Sequence, residues 1–575
     1  MKPSTVADYL VRALEAEGVQ HIFGYPGGAA LPIFDALERN LAVEHILVRH
    51  EQSAAHAADG YARSSGKVGV CLVSSGPGVT NAVTGIATAY MDSVPIVVLT
   101  GQAPSYALGL DAFQEVDTVG ITRSCVKHSF MLTAPDQVEM TVKKAFFLAR
   151  TGRPGPVLID LPRDITAMPM QRVFFYPEEV KIRTFSSRLS PSQLQIKKAA
   201  EAITRARRPL IYYGGGVVLG EASASLNELA RITNAPVTST LMGLGAFSAD
   251  NPQFVGMLGM HGVFEANLAM QHCDVLVAVG ARFDDRVIGN PTDFAQPRRS
   301  IIHIDVDPAS ISKRVAVDIP IVGDCAQVLD ALIAQIQEAN TAFPSIAGWW
   351  KEINEWRASN CLSYAQGGDR IKPQSVLELL SAMPGAENFI VTSDVGQHQM
   401  WTAQHFKFRR PRRWINSGGL GTMGFGLPAA IGASVACPES TVLCITGDGS
   451  IQMSTKELST CFQLGLPIKI VCLNNTTLGM VRQQQDLYHD RRRSQSYMET
   501  IPDFVKLAQA YGHRGIRVER ASELPAVLAD AMADTENLVF VDVLTDRSEN
   551  VYPTIAPDQP LTNMILRPQV VAEEL

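Results

Sequence analysis

The sequence predicts an α/β protein made of three consecutive doubly wound domains, each around a mostly parallel sheet. Two observations carry this prediction: short runs of Val, Ile and Leu recur along the whole chain, and Gly-rich turns follow them. Such runs are too short for helices and are typical of strands buried on both faces. The length of 575 residues leaves room for several domains of ordinary size.

The predicted strands fall into three sets. Those of the first set lie at 69–73, 96–99 and 157–161, with helices at 80–91 and 138–149. Those of the second lie at 209–213, 274–279 and 301–306, and those of the third at 388–392, 442–446, 468–473 and 538–544. The predicted domains span residues 1–170, 190–340 and 370–550, with a tail over 551–575. Residues 166–190 and 339–372 lack strand patterning and are interpreted as linkers or crossovers.

Composition excludes several classes of function. The 57 acidic and 50 basic residues give a net charge of −7, which lacks the basic footprint of a nucleic-acid binder. The longest apolar runs are far shorter than the roughly 20 residues of a membrane span. Nine cysteines without a CxxC pair indicate free thiols in a reducing compartment. With no signal or transit peptide at the start, a cytoplasmic protein without membrane or nucleic-acid partners is expected.

The strongest local signal combines two polar strand ends. Gly447, Asp448, Gly449 and Ser450 follow one predicted strand, and Asn475 follows the next. The carboxyl ends of parallel strands open onto one crevice. An Asp, an Asn amide oxygen and a backbone carbonyl suit Mg²⁺, which would keep other positions for diphosphate oxygens. The alternative is a pair of ordinary turns, but the two elements together favour a diphosphate–metal site.

This pairing resembles the thiamine diphosphate signature. Further segments are similar to one family, the acetohydroxyacid synthases (acetolactate synthases), catalytic subunit, across about residues 4 to 555. They are GYPGG (24–28), RHEQ (49–52), SGPG (75–78), DAFQE (111–115), GRPGP (152–156), GMLGMHG (256–262), ARFDDR (281–286) and SGGLGTMG (417–424). The resemblance implies a thiamine diphosphate-binding fold in the outer domains and an FAD-binding domain between them.

The residues around Glu51 do not by themselves assign it a function. HExxH zinc binding would need His at position 54, which is Ala54, and a lone Glu is otherwise a solvated helix charge. The resemblance makes Glu51 the group that activates the cofactor. A carboxylate bonded to the aminopyrimidine favours a tautomer whose nitrogen takes the thiazolium proton. A base held in contact has an effective molarity on the order of 10⁵ M or more.

The other thiamine-site residues are likewise implied by the resemblance. Met423 would prop the cofactor into its bent shape, with a core methionine as the alternative. Arg286 would bind the carboxylate of the second 2-ketoacid, unless it only pairs with neighbouring acids. Those expected to act in catalysis are Glu51, Gly28, Phe113, Gln114, Arg286 and Met423. The cofactor-binding ones also include Pro26, Gln397, His398, Gly421, Asp448, Gly449, Ser450, Asn475, Gly479 and Met480, and Mg²⁺ is assigned to Asp448, Asn475 and Thr477.

The middle domain is interpreted as a flavin site. Glycines follow one predicted strand and acidic residues follow others, as suits the phosphates and ribose of a dinucleotide. The resemblance implies FAD bound without redox use, by Arg153, Gly214, Gly215, Gly216, Thr240, Leu241, His261, Gly280, Arg282, Asp284, Arg286, Asp305, Val306 and Asp324. Residues 419–424 also fit GxGxxG, but an NAD site there is rejected because no clear strand precedes Ser417.

The implied reaction is decarboxylation of pyruvate and transfer of the two-carbon unit to pyruvate or 2-ketobutyrate, for branched-chain amino-acid biosynthesis. Within the fold the rivals are pyruvate oxidase and glyoxylate carboligase, which lacks the Glu present here as Glu51. From another class the rival is a non-catalytic paralogue. Intact Glu51, Asp448 and Asn475 argue against it.

The resemblance also carries expectations about assembly. The family forms homodimers or dimers of dimers with active sites between subunits, often joined by a small regulatory subunit. The segment after Gly479, with its arginines at 491–493, and the tail after Asn550 are predicted to close over the site as a lid. For the arginines the alternative is a solvated charge run. Arg163 stands where relatives commonly carry Lys, so charge is kept while reach differs.

The chain has QQQ at 483–485 where many relatives have Gln-Trp-Gln. That Trp lines the acceptor pocket, and one methylene is worth about 1–3 kcal/mol of discrimination at most. With Gln484 in its place, we expect a weaker preference for 2-ketobutyrate over pyruvate than in Trp-bearing relatives. Planar sulfonylurea-type inhibitors, which stack on that Trp, should also bind less tightly. A competition assay with mixed acceptors measures the preference, and a strong 2-ketobutyrate bias would contradict the prediction.

Overall fold

The computed structural model describes residues 4–182, 190–296 and 298–567. It contains three six-stranded sheets, in which every pair of neighbouring strands is parallel. This confirms the predicted fold class of three consecutive α/β domains. The predicted strands were found because they are buried on both faces and rich in Val, Ile and Leu.

The first domain carries a sheet in the order β2-β1-β3-β4-β6-β5. Its strands are β1 (His21–Gly24), β2 (Glu44–Leu47), β3 (Gly69–Val73), β4 (Ile96–Gln102), β5 (His128–Met131) and β6 (Val157–Pro162). Its helices are α1 (Val6–Ala16), α2 (Leu31–Arg39), α3 (Glu51–Ser65), α4 (Pro77–Met91), α5 (Thr118–Thr122), α6 (Val138–Arg150) and α7 (Arg163–Ala167).

The middle domain has the order β12-β11-β10-β7-β8-β9. Its strands are β7 (Pro209–Tyr213), β8 (Val237–Ser239), β9 (Phe254–Met257), β10 (Val275–Val279), β11 (Ser300–Asp305) and β12 (Ile319–Val322). Its helices are α8 (Gln193–Arg205), α9 (Gly215–Leu219), α10 (Ser223–Thr233), α11 (Phe264–His272), α12 (Asp285–Ile288), α13 (Pro291–Phe294), α14 (Cys325–Ala339) and α15 (Ala347–Arg357).

The third domain has the order β14-β13-β15-β16-β18-β17. Its strands are β13 (Ile390–Ser393), β14 (Trp414–Asn416), β15 (Val442–Gly447), β16 (Lys469–Asn474), β17 (Arg514–Val518) and β18 (Val539–Leu544), and β19 (Thr554–Ile555) and β20 (Met564–Ile565) form a hairpin in the tail. Its helices are α16 (Pro373–Ser381), α17 (Gln397–His405), α18 (Gly426–Ala436), α19 (Asp448–Ile451), α20 (Leu458–Leu464), α21 (Gly479–Tyr488), α22 (Phe504–Ala510) and α23 (Leu524–Ala533).

These strand orders fix where ligands can bind. In each sheet the order reverses at a switch point, between β1 and β3, β7 and β10, or β13 and β15. Crevices form at the carboxyl ends of strands on either side of such a point. The middle sheet follows the strand order of dinucleotide-binding folds. The topology therefore predicts one crevice for each domain.

Helices α3 and α18 join the first and third domains through one shared hydrophobic core. They cross closely enough that backbone meets backbone at two glycines. A Cβ atom on Gly60 would lie 2.2 Å from the Ala429 carbonyl oxygen, and one on Gly432 would lie 1.9 Å from the Ala57 carbonyl oxygen. The lack of a side chain at both positions is therefore what permits this contact.

Two connecting segments contain elements that the sequence pattern did not reveal. The stretch at 339–372 holds α15, in which Trp349 and Ile353 are buried one turn apart on the middle domain, while its polar residues mask the pattern. Trp349 also donates its indole N–H to the Pro209 carbonyl at 3.0 Å. The loop at 417–424 does follow a strand, β14, which is only three residues long. An NAD site at 419–424 was rejected because no clear strand precedes Ser417, and that reason was wrong.

Other expectations concern thiols and membranes. All nine cysteines are free, as predicted, and most are buried. No helix within residues 4–182, 190–296 and 298–567 combines the length and apolar composition needed to cross a bilayer.

The α3–α18 crossing generates a stability prediction. We expect Gly432→Ala to lower the free energy of unfolding by about 1–3 kcal/mol, because the added methyl group must push two backbones apart. Gly348→Ala is the matched control: Gly348 lies in α15, and a Cβ there meets no heavy atom within 4 Å. The midpoint of thermal unfolding measures both. Equal midpoints for the two variants would contradict the close crossing.

Candidate active site

The third domain brings Asp448 and Asn475 together at the carboxyl ends of the neighbouring strands β15 and β16, beside its switch point. Asp448 begins α19 directly after β15 and is 2% exposed. Its Oδ2 atom is buried without a hydrogen-bond partner. Burial raises the pKa of Asp448 to about 7, although the backbone N–H groups of Asn475 and Thr476 oppose that rise. The structure thus holds a buried carboxyl group that has backbone N–H partners but one oxygen without any.

Residues after β16 complete this edge. The Asn475 Oδ1 atom accepts hydrogen bonds from the Thr477 backbone N–H at 3.0 Å and from the Thr477 hydroxyl at 2.8 Å. The resulting turn gathers both residues beside Asp448. Gly479 follows, where a Cβ atom would lie 2.0 Å from the Gln397 Oε1 atom. Only glycine fits there without displacing Gln397.

A cavity of about 490 Å³ lies between the third and middle domains. The thiamine-site residues predicted in the third domain all line it: Gln397, His398, Gly421, Met423, Asp448, Gly449, Ser450, Asn475, Thr477, Gly479 and Met480. Arg286 and Gln484 line it as well. The chain therefore collects these side chains around one space from segments far apart in sequence.

The residues present fit Mg²⁺ held together with a diphosphate. The unpartnered Asp448 oxygen is the observation that supports this, because a cation would supply the missing counter-charge. In the described part of the chain, no group of three or more His, Cys, Asp and Glu side chains could hold a metal alone. Mg²⁺ bound through phosphates needs only one or two protein carboxylates.

A second cavity, of about 550 Å³, adjoins the first. The two share Gly215, Met242, Gly280 and Arg282 as lining residues. Every residue predicted for FAD lines at least one of them: Arg153, Gly214, Gly215, Gly216, Thr240, Leu241, His261, Gly280, Arg282, Asp284, Arg286, Asp305, Val306 and Asp324. Together the cavities form an elongated space that suits a dinucleotide.

The walls of this space also fit a dinucleotide. A Cβ atom on Gly214 would lie 2.5 Å from the Gly280 carbonyl oxygen, so bare backbone faces the switch point between β7 and β10. The Thr240 hydroxyl is buried without a partner. Burial raises the pKa of Asp305 to about 6. Arg153 lies 3.3 Å from Asp307 and brings a guanidinium from the first domain.

Glu51 lies at the first residue of α3, at the switch point of the first domain. Its Oε2 atom accepts a hydrogen bond from the Asn81 amide at 3.0 Å. Its Oε1 atom would lie 3.8 Å from a Cβ on Gly78, which has none. The carboxylate is therefore held at one oxygen and left open at the other.

The thiamine-site residues predicted in the first domain line neither cavity. Pro26, Gly28, Glu51, Phe113 and Gln114 line neither of them. Phe113 is 89% exposed, and Pro26, Gly28 and Gln114 are exposed as well. One chain thus presents two separate groups of polar residues: Glu51 on the first domain, which lines neither cavity, and Asp448 with Asn475 on the third, which line the first.

Two groups that line the first cavity, Arg286 and His261, can be described further. Arg286 is exposed over 64% of its side chain, and its nearest acid is Asp285 at 3.8 Å. This leaves most of its donors open to a ligand, so the alternative of a tight surface ion pair is not what the structure has. Burial lowers the pKa of His261 to about 4, so this ring is neutral near pH 7.

Sequence reasoning missed Met242, Asn81 and Asp394. Met242 lines both cavities from the middle domain. Asp394 accepts the Gly424 backbone N–H at 2.7 Å and the Thr446 hydroxyl at 3.0 Å, which ties the loop at 417–424 to β15. Its position directly after β13, beside the switch point, was the signal that could have found it.

The predicted lid segments are partly described. The Gln483 Oε1 atom accepts the Val551 backbone N–H at 2.8 Å, which fixes the start of the tail on α21. Arg492 and Arg493 pair with Asp490 and Asp486, so they are not a free charge run. Residues 568–575 lie outside the described residues, and closure of a lid stays a prediction.

Comparison with known proteins accords with this geometry. The chain matches the N-terminal TPP binding domain (residues 4–121), the central domain (196–332) and the C-terminal TPP binding domain (394–543) of thiamine pyrophosphate enzymes. The three domains, each built on a six-stranded parallel sheet, therefore define the chain as a thiamine pyrophosphate enzyme.

Full-length relatives narrow the class. The chain is 51% identical to the acetolactate synthase isozyme 3 large subunit of Escherichia coli, over 95% of this chain and 96% of that protein. It is 50% identical to the acetolactate synthase large subunit of Haemophilus influenzae, over 99% of each. The chain belongs to the acetolactate synthase large subunits.

Proposed function

We propose that this chain is the catalytic subunit of an acetolactate synthase. It decarboxylates pyruvate and transfers the two-carbon unit to a second pyruvate or to 2-ketobutyrate, giving 2-acetolactate or 2-aceto-2-hydroxybutyrate for branched-chain amino-acid biosynthesis. The observation that carries the proposal is the cavity where a buried, unpartnered Asp448 meets Asn475 and Arg286. The bound groups would be thiamine diphosphate, Mg²⁺ and FAD.

Asp448, Asn475 and the Thr477 carbonyl would hold Mg²⁺ against the diphosphate. Thiamine diphosphate, when bound, supplies a carbon acid that can cleave and re-form bonds next to a ketone. Asp448 is suited to the cation because its burial leaves its negative charge uncompensated. A Cβ atom at 449 would lie 2.9 Å from Leu478 Cδ2, and one at 479 would lie 2.0 Å from Gln397 Oε1, so glycine at both positions keeps the cavity wall in place.

Glu51 would hold a proton at its Oε1 atom. The Asn81 amide occupies Oε2, which fixes the plane of the carboxylate and leaves Oε1 to face a ring nitrogen. A carboxylate held in this way loses little rotational freedom on binding, so its hydrogen bond is well oriented when the ligand arrives.

Arg286 and Met423 would position the substrates. The guanidinium of Arg286 can receive a 2-ketoacid carboxylate through two parallel hydrogen bonds. Met423 offers an apolar wall, and Gln484 lines the same cavity in place of a Trp. The tail segment beside Gln483 covers this region and would help to exclude water.

FAD fits the elongated space in the middle domain, and we propose that it has no redox role. Joining two 2-ketoacids with loss of CO2 transfers no net electrons, so the reaction needs no oxidant. Arg153, Arg282 and the glycines after β7 would bind its phosphates.

The two half-sites, Glu51 on the first domain and Asp448 with Asn475 on the third, support a homodimer, or a dimer of dimers, with active sites between subunits. Glu51 lines neither cavity, whereas Asp448 lines the first, so a second copy would bring the missing half. The exposed Phe113 and Gln114 would then be covered. The relatives are named large subunits, which supports a small regulatory partner. The free cysteines support a cytoplasmic location.

Product analysis tests the function. Purified protein with pyruvate, Mg²⁺ and thiamine diphosphate should form acetolactate only when FAD is present, and without oxygen uptake. Acetolactate formed without FAD would keep the reaction and remove the flavin proposal. Acetate or acetyl phosphate formed with oxygen consumption would favour pyruvate oxidase instead.

Complementation tests the inter-subunit site. Glu51→Gln and Asp448→Asn should each be nearly inactive alone, because each removes one half of every site. A one-to-one mixture of the two variants should regain about a quarter of wild-type activity, since about half of randomly paired dimers are mixed and each mixed dimer restores one of its two sites.

Two controls accompany this experiment. Protein carrying both substitutions on every chain should stay inactive after the same mixing. Size-exclusion chromatography should give the same oligomer for all variants. A mixture as inactive as its parents, with mixed dimers demonstrated by differential tagging, would place Glu51 and Asp448 of one chain in one site.

A further inference from the structure

The end of α4 lies where all three domains meet. Met91 is the last residue of α4, Asp92 caps it, and Ser93 follows with φ 60°. Met91, Asp92 and Ser93 line the second cavity, here called the flavin-side cavity; the first is called the thiamine-side cavity. The loop at 417–424 lies directly against these residues. It is called the thiamine-side loop, because its Gly421 and Met423 line the thiamine-side cavity. The sequence pattern assigned no function to residues 91–93.

The Asp92 carboxylate holds the thiamine-side loop. It accepts the Gly419 backbone N–H at 2.7 Å and the Gly418 backbone N–H at 3.1 Å. A Cβ atom on Gly419 would lie 2.7 Å from the Asp92 Oδ1 atom, so glycine is what allows the approach. The Asp92 side chain has no solvent exposure. A buried charge with two charge-assisted hydrogen bonds is a strong anchor.

Arg63 fixes Asp92 in turn. Its guanidinium donates to Asp92 Oδ2 at 2.9 Å, to Asp59 Oδ1 at 2.6 Å and to the Asn416 carbonyl at 2.9 Å. This places a cation between two buried carboxylates and also binds the end of β14. Groups from the first domain therefore hold the loop at Gly418 and Gly419, and hold the strand before it at Asn416.

One turn earlier in α4, Thr88 holds the same loop at its other end. The Thr88 hydroxyl lies 2.7 Å from the Thr422 hydroxyl. Because Thr88 and Asp92 are four residues apart, they present one face of α4 to the loop. Met423 follows Thr422 and lines the thiamine-side cavity. The position of Met423 thus depends on this face of α4.

The same segment contacts the flavin side. The Met91 carbonyl accepts a hydrogen bond from Arg282 at 3.0 Å, and the Ser93 hydroxyl accepts one from Arg153 at 2.8 Å. Both arginines line the flavin-side cavity. Residues 91–93 therefore connect the two predicted cofactor sites through a continuous set of hydrogen bonds.

We propose that Asp92 is a positioning residue that fixes the loop at 417–424, and with it Met423, for thiamine diphosphate binding. This rests on the proposed function. The carboxylate acts through the loop and does not touch substrate. In Asp92→Asn, the side-chain amide would be a weaker hydrogen-bond acceptor and would turn an N–H group toward groups that are already donors. Arg63 would also lose one of its two carboxylate partners.

The test compares Asp92→Asn with a matched control, Asp274→Asn. Asp274 also accepts two consecutive backbone N–H groups, from Arg207 and Arg208 at 2.8 and 2.9 Å, but at the opposite end of the middle sheet. Calorimetric titration with thiamine diphosphate and Mg²⁺ should give a Kd at least about tenfold weaker in Asp92→Asn. It should be unchanged in Asp274→Asn.

Steady-state kinetics separates positioning from simple destabilisation. At saturating cofactors, Asp92→Asn should lower kcat while KM for pyruvate stays within about threefold, because the substrate-binding groups are intact. Thr88→Val, which keeps the shape of the side chain, should weaken the binding of thiamine diphosphate in the same way. This second variant tests the proposal if Asp92→Asn does not fold.

The opposite results would overturn the proposal. If Asp92→Asn and Thr88→Val lose thermal stability or bound flavin but bind thiamine diphosphate as tightly as wild type, the segment is only structural. Failure of the proposed function is distinct from this, because wild-type protein would then neither bind thiamine diphosphate nor form acetolactate.

Discussion

The close crossing of α3 and α18 is the constraint on which both half-sites depend. Without side chains at Gly60 and Gly432, the two helix backbones touch, and the first and third domains share one core. Helix α3 begins at Glu51, and α18 begins directly after the loop that carries Met423. One contact therefore sets the positions of Glu51 and of the cavity wall, although Glu51 lines neither cavity.

Burial of charge gives the cavities their chemistry. Asp448 and Asp305 have pKa values raised to about 7 and about 6, because each lies in a crevice that excludes water. Such groups cost stability in the empty protein, and a ligand that neutralises them stabilises the fold by its own binding energy. The middle domain thus contributes to the site even without electron transfer, since its ligand would fill space between two domains.

The sequence predicted most of the fold and about half of the geometry of the site. Strands buried on both faces leave an unmistakable run of Val, Ile and Leu, whereas the three-residue β14 and the Trp-bearing α15 do not. Asp448 and Asn475 were found because each follows a buried strand. Asp92 was missed, because its partners Gly418 and Gly419 lie more than 300 residues away and no local pattern links them. Glu51 lies outside both cavities because of how the domains pack, and no local sequence pattern shows such packing.

The strand orders of the two outer sheets are the same when read from the start of each domain. Equivalent strands therefore end at equivalent places in the two sheets. The two domains nevertheless place different groups at these ends: Glu51 follows the second strand of the first domain, whereas Asp448 and Asn475 follow the third and fourth strands of the last domain. In the proposed dimer, equivalent sheets from two chains would thus contribute unlike halves to one site.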